Sequence, residues 1–241
     1  MSMRRAWDER AASWIRWARA PGHDTYWRFH GARFLGLVPP PGQLTLDLGA
    51  GEGRVARDLR ARGHRVLEID GSLAMAAASA AAGGHPVVGD LASLPIATGA
   101  ADLAVAFMAL QDVDNMPAAL AEARRVLVPD GCLVLAIVHP INSAGRFEPA
   151  DIAGEPFVIR DPYFLPRRCE EDAERDGLSM RFVGEHRPLQ DYARALETAG
   201  FVIETLREVT EPDPADRWWR VPMFLDMRAR CVGRSAPRSV W

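Results

Sequence analysis

The chain has 241 residues, 48% of them hydrophobic and 25% charged, with a formal net charge of −3. That length supports one large α/β domain or a domain with an added lid, and the hydrophobic share is enough to bury a core. The near-balanced charge argues against a surface that neutralises many phosphates, because such binders carry a basic face; a nucleic-acid partner is not expected.

The three cysteines, Cys132, Cys169 and Cys231, are far apart and form no C-x-x-C pair. Neither a metal site nor a disulfide framework is expected from them. The basic start Met1–Arg5 leads into no signal-peptide apolar run, and no stretch approaches the ~20 apolar residues of a membrane span. A cytoplasmic protein without membrane contact is the expectation.

Trp7, Ala11, Trp14 and Ala18 fall on one stripe, which predicts a helix over 6–18. A second helix is predicted over 24–35, with Asp24 as its N-cap. The run Pro39-Pro40-Pro41-Gly42 then marks the entry to the main domain, so residues 1–40 are set apart from 41–232. Strands and helices alternate from there: a strand over 44–48, a helix over 54–62, a strand over 64–69, and an Ala-rich helix capped by Ser72. Short strands follow over 86–88 and 102–107, the latter nearly all apolar as expected for a strand covered on both faces. A helix over 115–127 and a strand over 132–138 complete the rhythm, which predicts a mostly parallel sheet with helices on both sides.

The pattern breaks over 140–187, a segment with prolines, aromatics and the charged run Glu170–Asp176, read as an insertion whose charges form a solvated face. A helix over 188–199 and strands over 201–209 and 221–231 close the domain. The Arg/Ser/Pro-rich residues 233–241 are expected to fray.

The strongest signal is Asp47-x-Gly49-x-Gly51-x-Gly53, where the first strand turns into a helix. Such a turn lets a ligand approach the backbone unobstructed. The following helix offers unpaired N–H groups, and in an open α/β sheet ligands bind at this end of the strands. A dinucleotide fingerprint would need glycine where Arg54 stands, and Asp47 would repel a diphosphate. The same acid suits a ligand with a cationic amino group and a sulfonium.

Four segments agree in order and spacing with a known family. They are Leu46–Arg54, Leu67-Glu68-Ile69-Asp70, Gly89–Pro95, and Ala121–Leu135 with its pattern Glu-x-x-Arg-Val-Leu-x-Pro-x-Gly. In these the chain resembles the class I S-adenosylmethionine-dependent methyltransferases, in particular the small-molecule group that includes ubiquinone- and menaquinone-type methylases. The resemblance implies a Rossmann-like α/β fold with a mostly parallel seven-stranded sheet, an antiparallel last strand and an N-terminal helical lid. It implies S-adenosyl-L-methionine as cofactor and S-adenosyl-L-homocysteine as product. Asp47 and the backbones of Gly49, Ala50 and Gly51 would hold the methionine part, with Arg54 able to pair its carboxylate. Asp70, followed by Gly71, would take the ribose hydroxyls. Asp90 and Leu91 would meet adenine, Met75 would pack on its face, and Phe107 and Met108 would border the cofactor.

The acceptor is harder to read. The Asn/Asp-Pro-Pro-aromatic motif of nucleic-acid amino-methylases is missing at 107–112, and Cys132 lies at the wrong end of the sheet for a nucleophile, so a small organic acceptor is favoured. An RNA- or protein-modifying enzyme, or a non-catalytic binding module, is the alternative. His139 and His186 are the candidate general bases; Tyr26, Trp27, Gln111, Asp112 and Trp218 are candidate acceptor contacts. Trp218 and Trp219 would point oppositely on a strand, freeing one for a pocket. A monomer or homodimer is expected.

Overall fold

The computed structural model describes residues 1–148 and 154–232; the expected frayed tail lies outside the described residues. In chain order the helices are α1 (Met3–Arg19), α2 (Gly31–Leu35), α3 (Arg54–Ala61), α4 (Leu73–Ala81), α5 (Met116–Val126), α6 (Pro140–Ala144) and α7 (Leu189–Ala199). The strands are β1 (Thr45–Leu48), β2 (Val66–Asp70), β3 (Pro86–Val88), β4 (Ala101–Phe107), β5 (Leu127–Val138), β6 (Arg146–Phe147), β7 (Phe157–Val158), β8 (Arg167–Arg175), β9 (Leu178–His186), β10 (Phe201–Val209) and β11 (Phe224–Cys231).

Seven strands form the main sheet in the order β10-β11-β5-β4-β1-β2-β3. The pairs among β1 to β5 are parallel, and β11 runs antiparallel to both β5 and β10. The last strand in sequence therefore slots between two others instead of capping the sheet. Strand alternation splits the core into two layers. Leu46, Ala104, Ala106, Leu133 and Leu135 pack with α5 and α7 on one face, while Leu103, Val105, Phe107, Val134 and Ala136 pack with α2 and α3 on the other. Both faces are covered, which is why β4 is apolar at nearly every position.

The order reverses between β1 and β4, and the crevice at their carboxyl ends is where an open α/β sheet binds ligands. Local chemistry fixes the helices that border it. Ser72 caps α4 by accepting from Met75 N, Asn115 caps α5 by accepting from Ala118 N, and Gly200 closes α7 at φ 88°.

Three expectations need correction. The charged run is a solvated edge but not irregular: Glu170–Arg175 lies on β8, which pairs along its whole length with β9. Asp176 and Gly177 make the two-residue turn at φ 49° and 75°, the mirror-image turn that matches the twist of a hairpin. Trp218 and Trp219 lie in a 3-10 turn, Arg217–Arg220, and not on a strand, so strand alternation does not govern them. The second N-terminal helix is also interrupted: Tyr26–His30 forms a π-helical turn before α2.

Helix α1 docks on the hairpin. Trp14 and Trp17 meet Phe182 edge-to-face at 6.1 and 5.9 Å, and Met3 and Ala6 pack on Val183. The same helix reaches the crevice: Arg4 Nε donates to Gly71 O at 2.9 Å, Ser72 Oγ donates to Asp8 at 2.6 Å, and Arg19 pairs with Glu52 at 2.9 Å. Helix and hairpin together roof the carboxyl ends of the strands.

Candidate active site

Beneath this roof lies a cleft of about 1310 Å³. Single small-ligand pockets occupy roughly 300–1,000 Å³, so the space admits a cofactor and a second molecule. Its floor is the turn after β1. Gly49, Gly51 and Gly53 all have positive φ, at 73°, 57° and 83°. Two of them also need the missing side chain for packing: a Cβ on Gly49 would lie 2.5 Å from Ala109 Cβ, and one on Gly53 would lie 2.5 Å from Ser79 Oγ. Above Gly51 the nearest group is the Trp14 indole nitrogen of α1. The turn is thus pressed against α4 and the loop after β4 while its upper surface lines the cleft.

Asp47 lines the cleft with only 1% exposure, and its Oδ2 has no hydrogen-bond partner among the described residues. Burial, helped by the nearby Glu68 and Asp70 charges, pushes its carboxyl up to about 8. An unpartnered buried acid is costly, and a cationic ligand would relieve that cost. Asp70, at the end of β2, is anchored by accepting from Gly51 N at 2.7 Å and Ser72 N at 2.8 Å. Each oxygen keeps a further lone-pair site toward the cleft. Burial raises its carboxyl above the ordinary value. Asp90 is held by accepting from Ala92 N at 2.8 Å, and Leu91 and the buried Met75 line the same end. Ala50, Gly71, Phe107 and Met108 also line the cleft.

The loop after β4 brings two more groups. Met108 takes a left-handed φ of 52°, and its carbonyl accepts from Gln111 Nε2 at 2.8 Å. Gln111 is 9% exposed, and its Oε1 has no partner among the described residues. Asp112 stands beside it, raised well above the usual carboxylate range by burial, with Arg187 opposing. Arg187 ties the hairpin to this loop by donating to Leu110 O at 3.1 Å and Val113 O at 2.6 Å.

The two candidate histidines part company. His186 ends β9 and lines the cleft, fully buried. Its Nε2 donates to Tyr163 O at 2.7 Å, which leaves Nδ1 to accept from Ser143 Oγ at 2.8 Å. Burial lowers its pKa. His139 is not part of the cleft wall. Its Nδ1 caps α6 by accepting from Ile141 N at 3.0 Å, and its Nε2 faces Glu208 at 3.0 Å. The following Pro140 explains this placement, because it starts α6 at once and turns the ring into an N-cap.

Three further expectations are corrected. Tyr26 is fully buried and donates to Asp58 at 2.6 Å, so it is core. Trp27 is 66% exposed and does not border the cleft. Arg54 does line the cleft, but it pairs with the chain's own Asp24 inside a cage of Trp14, Tyr26 and Phe107. Trp218 lines the far end, edge-on to Phe147 at 5.0 Å. Trp14, Ser143, Phe182 and Arg217 line the cleft without having been predicted. Only contacts made across long sequence separations bring them there.

A seven-stranded sheet of this order, with a glycine turn after β1 and acids at the ends of β1 and β2, defines the Rossmann-like methyltransferase architecture. Residues 46–135 match a protein-family model described as "Methyltransferase domain". The chain is 37% identical over 108 residues to a malonyl-[acyl-carrier protein] O-methyltransferase of Serratia marcescens, covering 43% of this chain and 42% of that protein. It is 38% identical over 114 residues to a demethylmenaquinone methyltransferase of Mycolicibacterium paratuberculosis, covering 47% and 49%. The chain therefore spans less than half the length of these curated relatives. Similarity to a crystal structure of an S-adenosylmethionine-dependent methyltransferase from Mesorhizobium loti is broader, with a TM-score of 0.69 and 26% identity over 86% of this chain and 98% of that one. Residues 46–135 thus match a methyltransferase domain, and the fold is that of S-adenosylmethionine-dependent methyltransferase structures.

Proposed function

We propose that the protein transfers a methyl group from S-adenosylmethionine to a small organic acceptor. The observation that carries this reading is Asp47: a buried carboxylate with one oxygen lacking a partner among the described residues, beside a turn kept free of side chains. That donor set fits a cationic amino acid end and would not fit a diphosphate. Asp47 and the backbone of Gly49–Gly51 hold the methionine part, Asp70 accepts from the ribose hydroxyls, and Asp90 with Leu91 meets the adenine edge over Met75.

When bound, the cofactor supplies an activated methyl on sulfur, open to in-line displacement. The protein's contribution is alignment and exclusion of water, worth roughly 7–11 kcal/mol at best. Phe107, Met108 and the roof formed by α1 and the hairpin serve that purpose. Gln111 and Asp112 face the acceptor. Where the acceptor must lose a proton, Ser143 Oγ takes it and passes its own to His186 Nδ1, a relay worth about 10²–10⁴-fold. The Tyr163 carbonyl fixes the tautomer that leaves this nitrogen free to accept.

A small acceptor is supported by the roofed cleft and by the name of the demethylmenaquinone relative. The test uses cofactor labelled in the methyl group, incubated with a panel of small phenols, amines and carboxylates and, separately, with tRNA and protein. Label extracted with a small molecule is the expected result. Label that stays with RNA or protein would replace this reading with a macromolecular one.

A further inference from the structure

Both signs of charge line the cleft: Asp47, Asp70, Asp90 and Asp112 stand at the strand ends, and Arg146, Arg160, Arg167 and Arg217 stand among the acids of the wall built by the insertion and the turn before β11. Most of these arginines are engaged. Arg146 and Arg160 both pair with Glu148, and Arg167 lies 3.4 Å from Asp161 while donating to Ser143 O and Ala144 O.

Arg217 is different. It is half-buried, with its guanidinium 5.2 Å from the centre of the Phe147 ring. Among the described residues no hydrogen-bond acceptor and no carboxylate engages it. Arg167 adds a second observation: its Nη1 is buried and has no partner among the described residues. A guanidinium stacked on an aromatic ring keeps its in-plane donors free, and such donors suit the planar, two-oxygen face of a carboxylate. Beside them, Trp218 stands perpendicular to Phe147 at 5.0 Å and inclined at 62° to Phe157 at 6.2 Å, and Met223 and Phe224 continue the apolar wall.

We propose that this end of the cleft is the acceptor's anchoring site and takes a small aromatic carboxylate, its charge on Arg217 and its ring against Trp218. The inference rests on the methyl-transfer reading, since it names the class of acceptor.

The test is calorimetric titration with cinnamate and with the neutral cinnamamide, on protein saturated with S-adenosylhomocysteine and on free protein. Cinnamate is expected to bind at least tenfold more tightly than the amide. Arg217→Gln removes that preference, and Arg217→Lys restores part of it. Equal binding of acid and amide, no cinnamate binding to either form, or a preference that survives Arg217→Gln overturns the proposal. Because the free protein is titrated too, a failure of S-adenosylhomocysteine to bind counts against the cofactor reading alone.

Discussion

Asp70 Oδ2 accepts from Gly51 N at 2.7 Å, so the acid at the end of β2 clamps the glycine turn that follows β1. In the proposed reading the same carboxylate also grips the ribose. Asp70→Ala is expected to weaken S-adenosylhomocysteine at least tenfold, which corresponds to about 1.4 kcal/mol. Equilibrium titration measures it, and an unchanged dissociation constant would remove Asp70 from the binding site.

The protonation of Asp47 yields a second prediction. Its carboxyl stands at about 8 in the free protein against an ordinary 3.8, so it is mostly neutral at pH 7. A ligand ammonium beside it favours the charged form and lowers that value. Binding at pH 7 should therefore release a proton, and affinity should rise as the pH approaches 8. Calorimetry in buffers of different ionisation enthalpy reads the release directly. Asp47→Asn should bind more weakly and show no such dependence on buffer.

Stability follows from the same shift with its own sign. The folded state keeps a proton that the unfolded chain has already lost, so this group stabilises fully below its unfolded value of 3.8 and loses that effect as pH rises through about 8. Asp47→Asn should therefore gain melting temperature relative to the parent as pH increases across that window. Parallel melting curves for the two proteins would refute the assignment.

Gly49→Ala and Gly83→Ala separate backbone strain from collision. Both positions have positive φ, 73° and 82°, but a Cβ at Gly83 meets nothing within 4 Å, whereas one at Gly49 would lie 2.5 Å from Ala109 Cβ. The shared backbone cost is of order 1–3 kcal/mol. Denaturant unfolding should show a clearly larger loss for Gly49→Ala, together with loss of S-adenosylhomocysteine binding that Gly83→Ala does not share.

For His139, the placement as an N-cap of α6 predicts a change in stability without a change in binding. His139→Ala should cost about 1 kcal/mol, the usual range for a lost cap. S-adenosylhomocysteine affinity should stay the same. A large drop in affinity would put His139 back into the site.

Much of this was legible in the sequence because it is local. The short apolar strands, the cap at Ser72, and the glycine turn with its preceding acid are all set by residues within a few positions of one another. The hairpin was also written locally, in Asp176-Gly177, but the flanking strands alternate poorly: Glu170, Glu171, Asp172 and Glu174 hide the strand pattern that normally accompanies such a turn. The fates of Tyr26, His139 and Arg54 were not legible. Each depends on a partner far along the chain, namely Asp58, Glu208 and the ring of Phe107. Ser143 gave no signal of its own, since only the return of β9 brings His186 to it across 43 residues.

The most direct test of the whole account is calorimetric titration with S-adenosylhomocysteine alongside methylthioadenosine, which lacks the amino acid end. The account predicts saturable one-to-one binding of the first and distinctly weaker binding of the second, with the difference erased in Asp47→Asn. No binding of S-adenosylhomocysteine, or equal binding of both ligands to the unaltered protein, would contradict it.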